Sequence, residues 1–290
     1  MPTIIDLRRR IESVRNSQKV TQAMKTVATA RYRKYHRQVV AGRPFWHNFP
    51  ELALKLSQSM SFPVHPFLEI RPEKKILVIT ITSDKGLCGV FNSSLLAAAQ
   101  RFLDEKKEKT ELKLITIGKK ATAFFKRFDY QVERFIADGV DKKIPEISEE
   151  LNSYLEYQFI FKKVDAVYII YNEFHSIIAP RITLTRFLPL SGEQADLPVD
   201  YLKPDWEPEA RKVIAYLLKF YLRYQLQHFL LESQAAEQAS RMMAMEKATQ
   251  NAEELISSLV LLLNKMRQAS ITRELLEIQT AVEALTQQGV

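Results

Sequence analysis

Apolar residues near the start of the chain recur at Ile4, Leu7, Ile11 and Val14, the three- and four-residue spacing of one helical face. No glycine or proline interrupts residues 3–40, so the pattern predicts a long N-terminal helix. Its stripe is expected to continue through Val20, Met24 and Val27, with the small residues Ala23, Ala28 and Ala30 allowing a second helix to come close. Gly42 and Pro44 are expected to bend or interrupt the helix. It then resumes through Leu52, Leu56 and Met60 until Pro63, Pro66 and Pro72 mark a connector.

The pattern changes in the middle of the chain. Residues 76–81 form an unbroken apolar and β-branched run, which predicts a buried strand. A turn over 83–89 follows, then a helix to about Lys109 that Asn92 or Ser93 could cap. Residues 112–117 read as a second strand ended by Gly118, and a helix carries Phe124 and Phe125. A weaker strand at 130–136, a helix at 144–161 and a strong strand at 166–171 continue the alternation. Residues 181–190 alternate Ile182, Leu184, Arg186 and Leu188, which suggests an antiparallel edge strand. Five of the seven glycines lie between Gly86 and Gly192, where a domain with loops needs them.

Pro189, Pro198, Pro204 and Pro208 mark a second connector, after which positions 209–288 contain neither glycine nor proline. As one helix this segment would span about 120 Å. Such an apolar helix is not stable alone, so another helix must lie beside it. Ala248, Ala252, Leu255, Leu259, Leu262 and Met266 repeat in heptad spacing, and after a phase shift so do Ile271, Leu275, Ile278, Val282 and Leu285. The expected fold is α/β: an antiparallel coiled coil of the N- and C-terminal helices (1–62 and 209–288) with a Rossmann-like domain between them (73–190). Because the C-terminal helix is the longer, its tip has apolar positions that other chains must cover.

Composition and charge narrow the function. The spacing of glycines and prolines excludes a barrel or sandwich as the whole-chain answer. No apolar run is long enough to span a membrane, and the N-terminus has no signal-like core, which reads as an untargeted bacterial cytoplasmic chain. The lone Cys88 fits a reducing compartment. Residues 1–43 carry eleven basic side chains against Asp6 and Glu12, a net +9 in a chain whose total is +8, so the remainder is close to neutral. That arm calls for an acidic partner or phosphates. Nucleic-acid binding would also need a reading face, for which Tyr32 and Tyr35 are the only candidates.

The sequence shows no catalytic constellation. The Gly86-Leu87-Cys88-Gly89 turn matches neither phosphate-loop motif, so a tight strand-to-helix turn is expected there, not a nucleotide site. His36, His47, His65, His175 and His228 are never paired at ligand spacing, so no metal site is expected. No nucleophile-base arrangement stands out, which leaves an α/β enzyme with helical arms without its motifs. Neither a nucleic-acid-binding protein nor an α/β enzyme explains two termini patterned to lie together.

Three segments together resemble the gamma subunit of F-type ATP synthase, bacterial type. They are Ile11 to Arg33 with its Thr-x-Ala-Met-x-x-Val-Ala pattern, Ser83 to Gly89 with Asn92, and Ser240 to Ile271 with Arg241-Met242-x-Ala-Met245 and the Arg267 to Glu274 run. The resemblance covers nearly the whole chain and is weakest in the α/β domain. It implies a non-catalytic central rotor shaft without cofactor or metal. The coiled coil would stand inside alternating alpha and beta subunits, with catalysis on beta. The α/β domain would lie against the epsilon subunit and the c-ring, at the cytoplasmic face of the inner membrane, and ion-driven rotation would couple to ATP synthesis. Arg267, Gln268, Thr272 and Glu274 match positions that engage the beta subunit, Met24, Lys25 and Arg241 match the coupling region of the opposing helix, and Glu207 falls where the family contacts the c-ring or epsilon. The chain departs from the family at Lys85, usually Arg, at Ala236, often Ser, and at Gln250 in a usual Ala-Thr-Asp-Asn stretch. It lacks the cysteine-bearing insertion of chloroplast forms, so thiol regulation is not expected.

Overall fold

The computed structural model describes residues 3–58, 65–140, 143–176, 180–190 and 210–287. Its contacts divide the chain into two compact units, one of Met1–Val27 with Ala244–Val290 and one of Ala28–Met243. Two long helices, α1 (Ile4–Gln58) and α5 (Ala210–Gln287), contribute a segment to each unit.

In the first unit the two helices run antiparallel, since partner numbers fall along one as they rise along the other. Leu7 and Ile11 pack with Leu259, flanked by Val14, Ile256, Val260, Leu263 and Met266. Further along, the hydroxyls of Thr21 and Thr249 are 2.8 Å apart, and Lys25 forms an ion pair with Glu246. The first turn of α1 is closed by Thr3 and Asp6: the Thr3 hydroxyl donates to the Asp6 carboxylate (2.7 Å) and accepts from the Asp6 backbone N–H (3.1 Å).

Two details of the expected seam are corrected. The packed line on α5 is Ile256, Leu259, Val260, Leu263 and Met266, whereas the heptad positions Leu255 and Leu262 are 40 and 41% exposed. On α1 the line passes through Thr21 and Met24, while Val20 and Val27 are exposed. Both stripes offered more than one apolar face, and the polar Thr21–Thr249 pair lies on the one that meets the partner.

In the second unit β1 (Lys75–Ile81) is followed by α2 (Phe91–Lys107), β2 (Glu111–Ile117), α3 (Lys119–Arg127), β3 (Val132–Ile136), α4 (Ile144–Ile160), β4 (Ala166–Glu173) and β5 (Arg181–Leu188). The sheet order is β3-β2-β1-β4-β5, parallel except for the antiparallel edge strand β5. Alternate residues serve opposite faces, as the pleat requires. Ile76, Val78, Leu114 and Ile170 meet α2 and α3, while Leu77, Ile79, Ile115, Ile117, Val167, Ile169 and Tyr171 meet α4 and the α1 and α5 segments of this unit. Tyr35 and Val39 of α1 and the run from Leu218 to Ala239 of α5 belong to that second core.

The expected interruption at Gly42 and Pro44 does not occur, since α1 continues through both. Pro44 removes one helical donor. Contacts on either side hold the helix together: Arg43 donates to the Phe174 carbonyl at 2.9 Å, and the Trp46 ring stacks on His228 with centroids 4.9 Å apart. Gly42 is a space-maker, because a Cβ there would lie 2.3 Å from Trp46 Nε1.

Candidate functional site

The first group of candidate residues occupies the distal part of α5. Arg267, Gln268, Thr272 and Glu274 are all exposed, and every residue from Ile271 to Val282 is exposed as well. Within that stretch Ile271, Leu275, Ile278 and Val282 repeat at four- and three-residue spacing, so they share one face of the helix. Each is between 46 and 61% exposed. By helical position Arg267 and Glu274 flank one side of this apolar stripe, and Gln268 and Thr272 flank the other. Locally the Thr272 hydroxyl donates back to the Gln268 carbonyl at 3.0 Å, and the Ser270 hydroxyl donates to Glu274 at 3.1 Å. The arrangement is an apolar strip with a polar border, the composition of a protein-contact surface.

The second group is engaged internally. Met24 is half-buried in the seam of the first unit, and Lys25 is paired with Glu246. Arg241 belongs to the second unit, where it is 9% exposed. Its Nη1 meets Glu237 at 2.7 Å and its Nη2 reaches the carbonyls of Lys85 and Gly86, both at 3.3 Å. Arg241 therefore ties α5 to the loop after β1. Glu237 also accepts from Gln234 and Gln238. Sequence reasoning missed Glu237, although a glutamate four residues before an arginine on a helix is a readable pairing signal. Glu207 lies outside the described residues.

The loop held by Arg241 is the one after β1. Asn92 and Ser93 do not cap α2, which starts after Val90 with no side-chain cap. Asn92 instead turns back to the loop: its Oδ1 accepts from the Ser83 backbone N–H at 3.1 Å, and its Nδ2 donates to the Ser83 hydroxyl (2.8 Å) and Cys88 Sγ (3.1 Å). Cys88 is buried, and that burial pushes its thiol above the ordinary value, the opposite of an activated nucleophile. Leu87 has φ +63 with its side chain 62% exposed, next to Val90 at 71%. Doubly wound folds bind ligands in the crevice at the carboxyl ends of their strands. Here Asp84 sits at that edge, accepting the backbone N–H of Lys119 (3.1 Å) and of Gly139 (3.3 Å), so its carboxylate is already committed to closing the turn. This geometry supports the tight-turn reading of residues 86–89.

Fold and site together define a class: a mixed α/β protein whose terminal helices pair and whose C-terminal helix carries an exposed apolar stripe with a polar border. A family model described as ATP synthase matches residues 3–285. The chain is 36% identical to the ATP synthase gamma chain of Desulforudis audaxviator, over 98% of this chain and 100% of that one. It is also 36% identical to the gamma chain of Chlorobaculum tepidum, over 99 and 100%. Among solved structures it resembles a chain of the central stalk and c-ring of the Tetrahymena thermophila mitochondrial ATP synthase (26% identity, TM-score 0.61, covering 79% of this chain and 99% of that one). A chain of the Euglena gracilis mitochondrial enzyme shares the fold at 20% identity, with TM-score 0.68 and coverage of 99 and 96%. The chain belongs to the ATP synthase gamma-chain family.

Proposed function

We propose that this gamma chain is the turning central stalk that couples ion-driven rotation of a c-ring to ATP synthesis or hydrolysis on beta subunits, with no catalytic site of its own. The observation that carries the reading is the bordered apolar stripe from Ile271 to Val282, exposed in the chain by itself. A surface of that kind marks a site of contact with other chains, and a surrounding ring of alpha and beta subunits would cover it. Arg267, Gln268, Thr272 and Glu274 are then the residues facing beta. Met24, Lys25 and Arg241 act from within, keeping the helices and the loop at Gly86 in register. The net +9 of residues 1–43 suits acidic surfaces on those partners.

The α/β unit is the part that would meet the epsilon subunit and the c-ring, with Glu207 the expected contact. The protein would then be peripheral at the cytoplasmic face of a bacterial inner membrane. No helix among the described residues is long and apolar enough to cross a membrane, so attachment would pass through the complex. The test is to tag the chain in its host, solubilise membranes gently and identify what comes with it. Recovery of alpha and beta subunits with Mg-ATP hydrolysis, absent from the chain alone, is expected. Recovery alone, or with nucleic acid that moderate salt removes, would overturn the reading.

A further inference from the structure

Between α1, the first turn of α4 and α5, the second unit contains a cavity of about 440 Å³ that none of the family motifs uses. That volume lies within the range of small-molecule sites, roughly 300–1,000 Å³. Trp46 and Tyr224 line it, with ring centroids 6.3 Å apart. Each ring has an aromatic neighbour: Trp46 stacks on buried His228, and Tyr224 packs on Phe220, itself 38% exposed, at 4.3 Å. The absence of a side chain at Gly42 is what leaves room for the indole in this position. The aromatic wall is therefore pre-formed.

The rest of the lining mixes apolar residues, Ala41, Ile144 and Leu231, with polar ones. Gln38 and Gln227 contribute amides, and Lys34 contributes a cation whose ammonium lies 5.8 Å from the Tyr35 ring. Pro145 marks the first turn of α4, a helix start that no side chain caps. Glu146 in the same turn is exposed and does not line the cavity. Flat apolar walls favour a ring system, and a cation at the edge favours a negative charge attached to it.

We propose that this cavity binds a planar aromatic molecule carrying one anionic group, its rings against Trp46 and Tyr224 and its charge at Lys34. The site does not depend on the rotor reading, because every group in it lies within the α/β unit. The probe is anilinonaphthalene sulfonate, which joins fused rings to a sulfonate. The protein is the full chain carrying Trp206→Phe, so that of its two tryptophans only Trp46 remains. Saturable quenching of Trp46 emission with matching sensitised dye emission is expected. Lys34→Gln, at an exposed position, should weaken the dissociation constant about tenfold, as should replacing the dye by uncharged phenylnaphthylamine. Tyr224→Leu should weaken both dyes. Dye binding that leaves Trp46 emission unchanged, or that is equally tight in all variants, would place the dye on another apolar surface such as the 271–282 stripe and overturn the proposal. Absence of saturable binding would overturn it as well.

Discussion

Gly118 ends β2 with φ +94, and its α-carbon lies so near Thr82 that a Cβ would come 2.2 Å from the Thr82 carbonyl oxygen. Thr82 cannot retreat, because its hydroxyl donates to the Ile117 carbonyl (3.1 Å) and accepts from the Ala121 backbone N–H (2.9 Å). Gly118→Ala therefore combines an unfavourable backbone angle with a backbone clash and should cost about 3 kcal/mol or more. Urea unfolding measures it, and a loss within a few tenths of the parent would contradict the geometry. Cys88 makes a pH-dependent claim. Burial raises its folded thiol above the ordinary 9.0, so the stability tied to the neutral thiol is fully present below that value and is lost as pH rises beyond it. Between about pH 8 and about pH 10 the parent should lose more stability than Cys88→Ser, in which that titration is absent. Parallel loss in both would show that the thiol is not the group responsible.

At the scale of elements, the seam of the first unit shows how much a repeat alone can specify. The heptad pattern announced that α5 would pair with α1, and the pairing is there. Yet α5 has apolar residues at 255, 256, 259, 260, 262 and 263, more than one stripe can use. The structure buries Leu259 to 7% exposure and leaves Leu262 at 41%. Leu259→Ala should therefore cost about 2–3 kcal/mol, at the lower end for a core leucine, whereas Leu262→Ala should stay within about 0.5 kcal/mol. Thermal unfolding of the two variants separates the observed seam from the one the heptad implied, since the heptad would make both losses similar. The unbroken course of α1 through Gly42 and Pro44 has the same cause. Local propensity marked a break, and tertiary contacts made by Arg43 and Trp46 overrode it.

For the molecule as a whole, the two families of candidate residues part company. Arg267, Gln268, Thr272 and Glu274 lie exposed beside an apolar stripe and are available to a partner, whereas Lys25 and Arg241 already hold internal partners. A defect at Arg267 should then appear as lost communication rather than lost assembly. In the isolated complex, Arg267→Glu is expected to lower ATP-driven ion pumping on the order of fivefold, the lower bound of typical coupling energies, with the amount of assembled complex unchanged. Equal loss of both would make Arg267 a structural contact and count against a role for it in coupling.

The sequence alone determined the order and type of the strands and of the helices between them: β-branched runs gave the strands, Gly118 the end of β2, and the stretch from 209 to 288 without glycine or proline one long helix. It also exposed the surplus at the tip of α5, because an apolar repeat that outruns its partner is visible by counting. These features are local or periodic, and the chain's own chemistry sets them. Tertiary structure alone decided which apolar face forms the seam, that Asn92 holds Ser83 and Cys88 instead of capping α2, and that Arg241 reaches carbonyls more than 150 positions away. Each of those choices is between partners of equal local merit, and only the packing of distant segments makes one of them the place where a buried polar group finds its hydrogen bond.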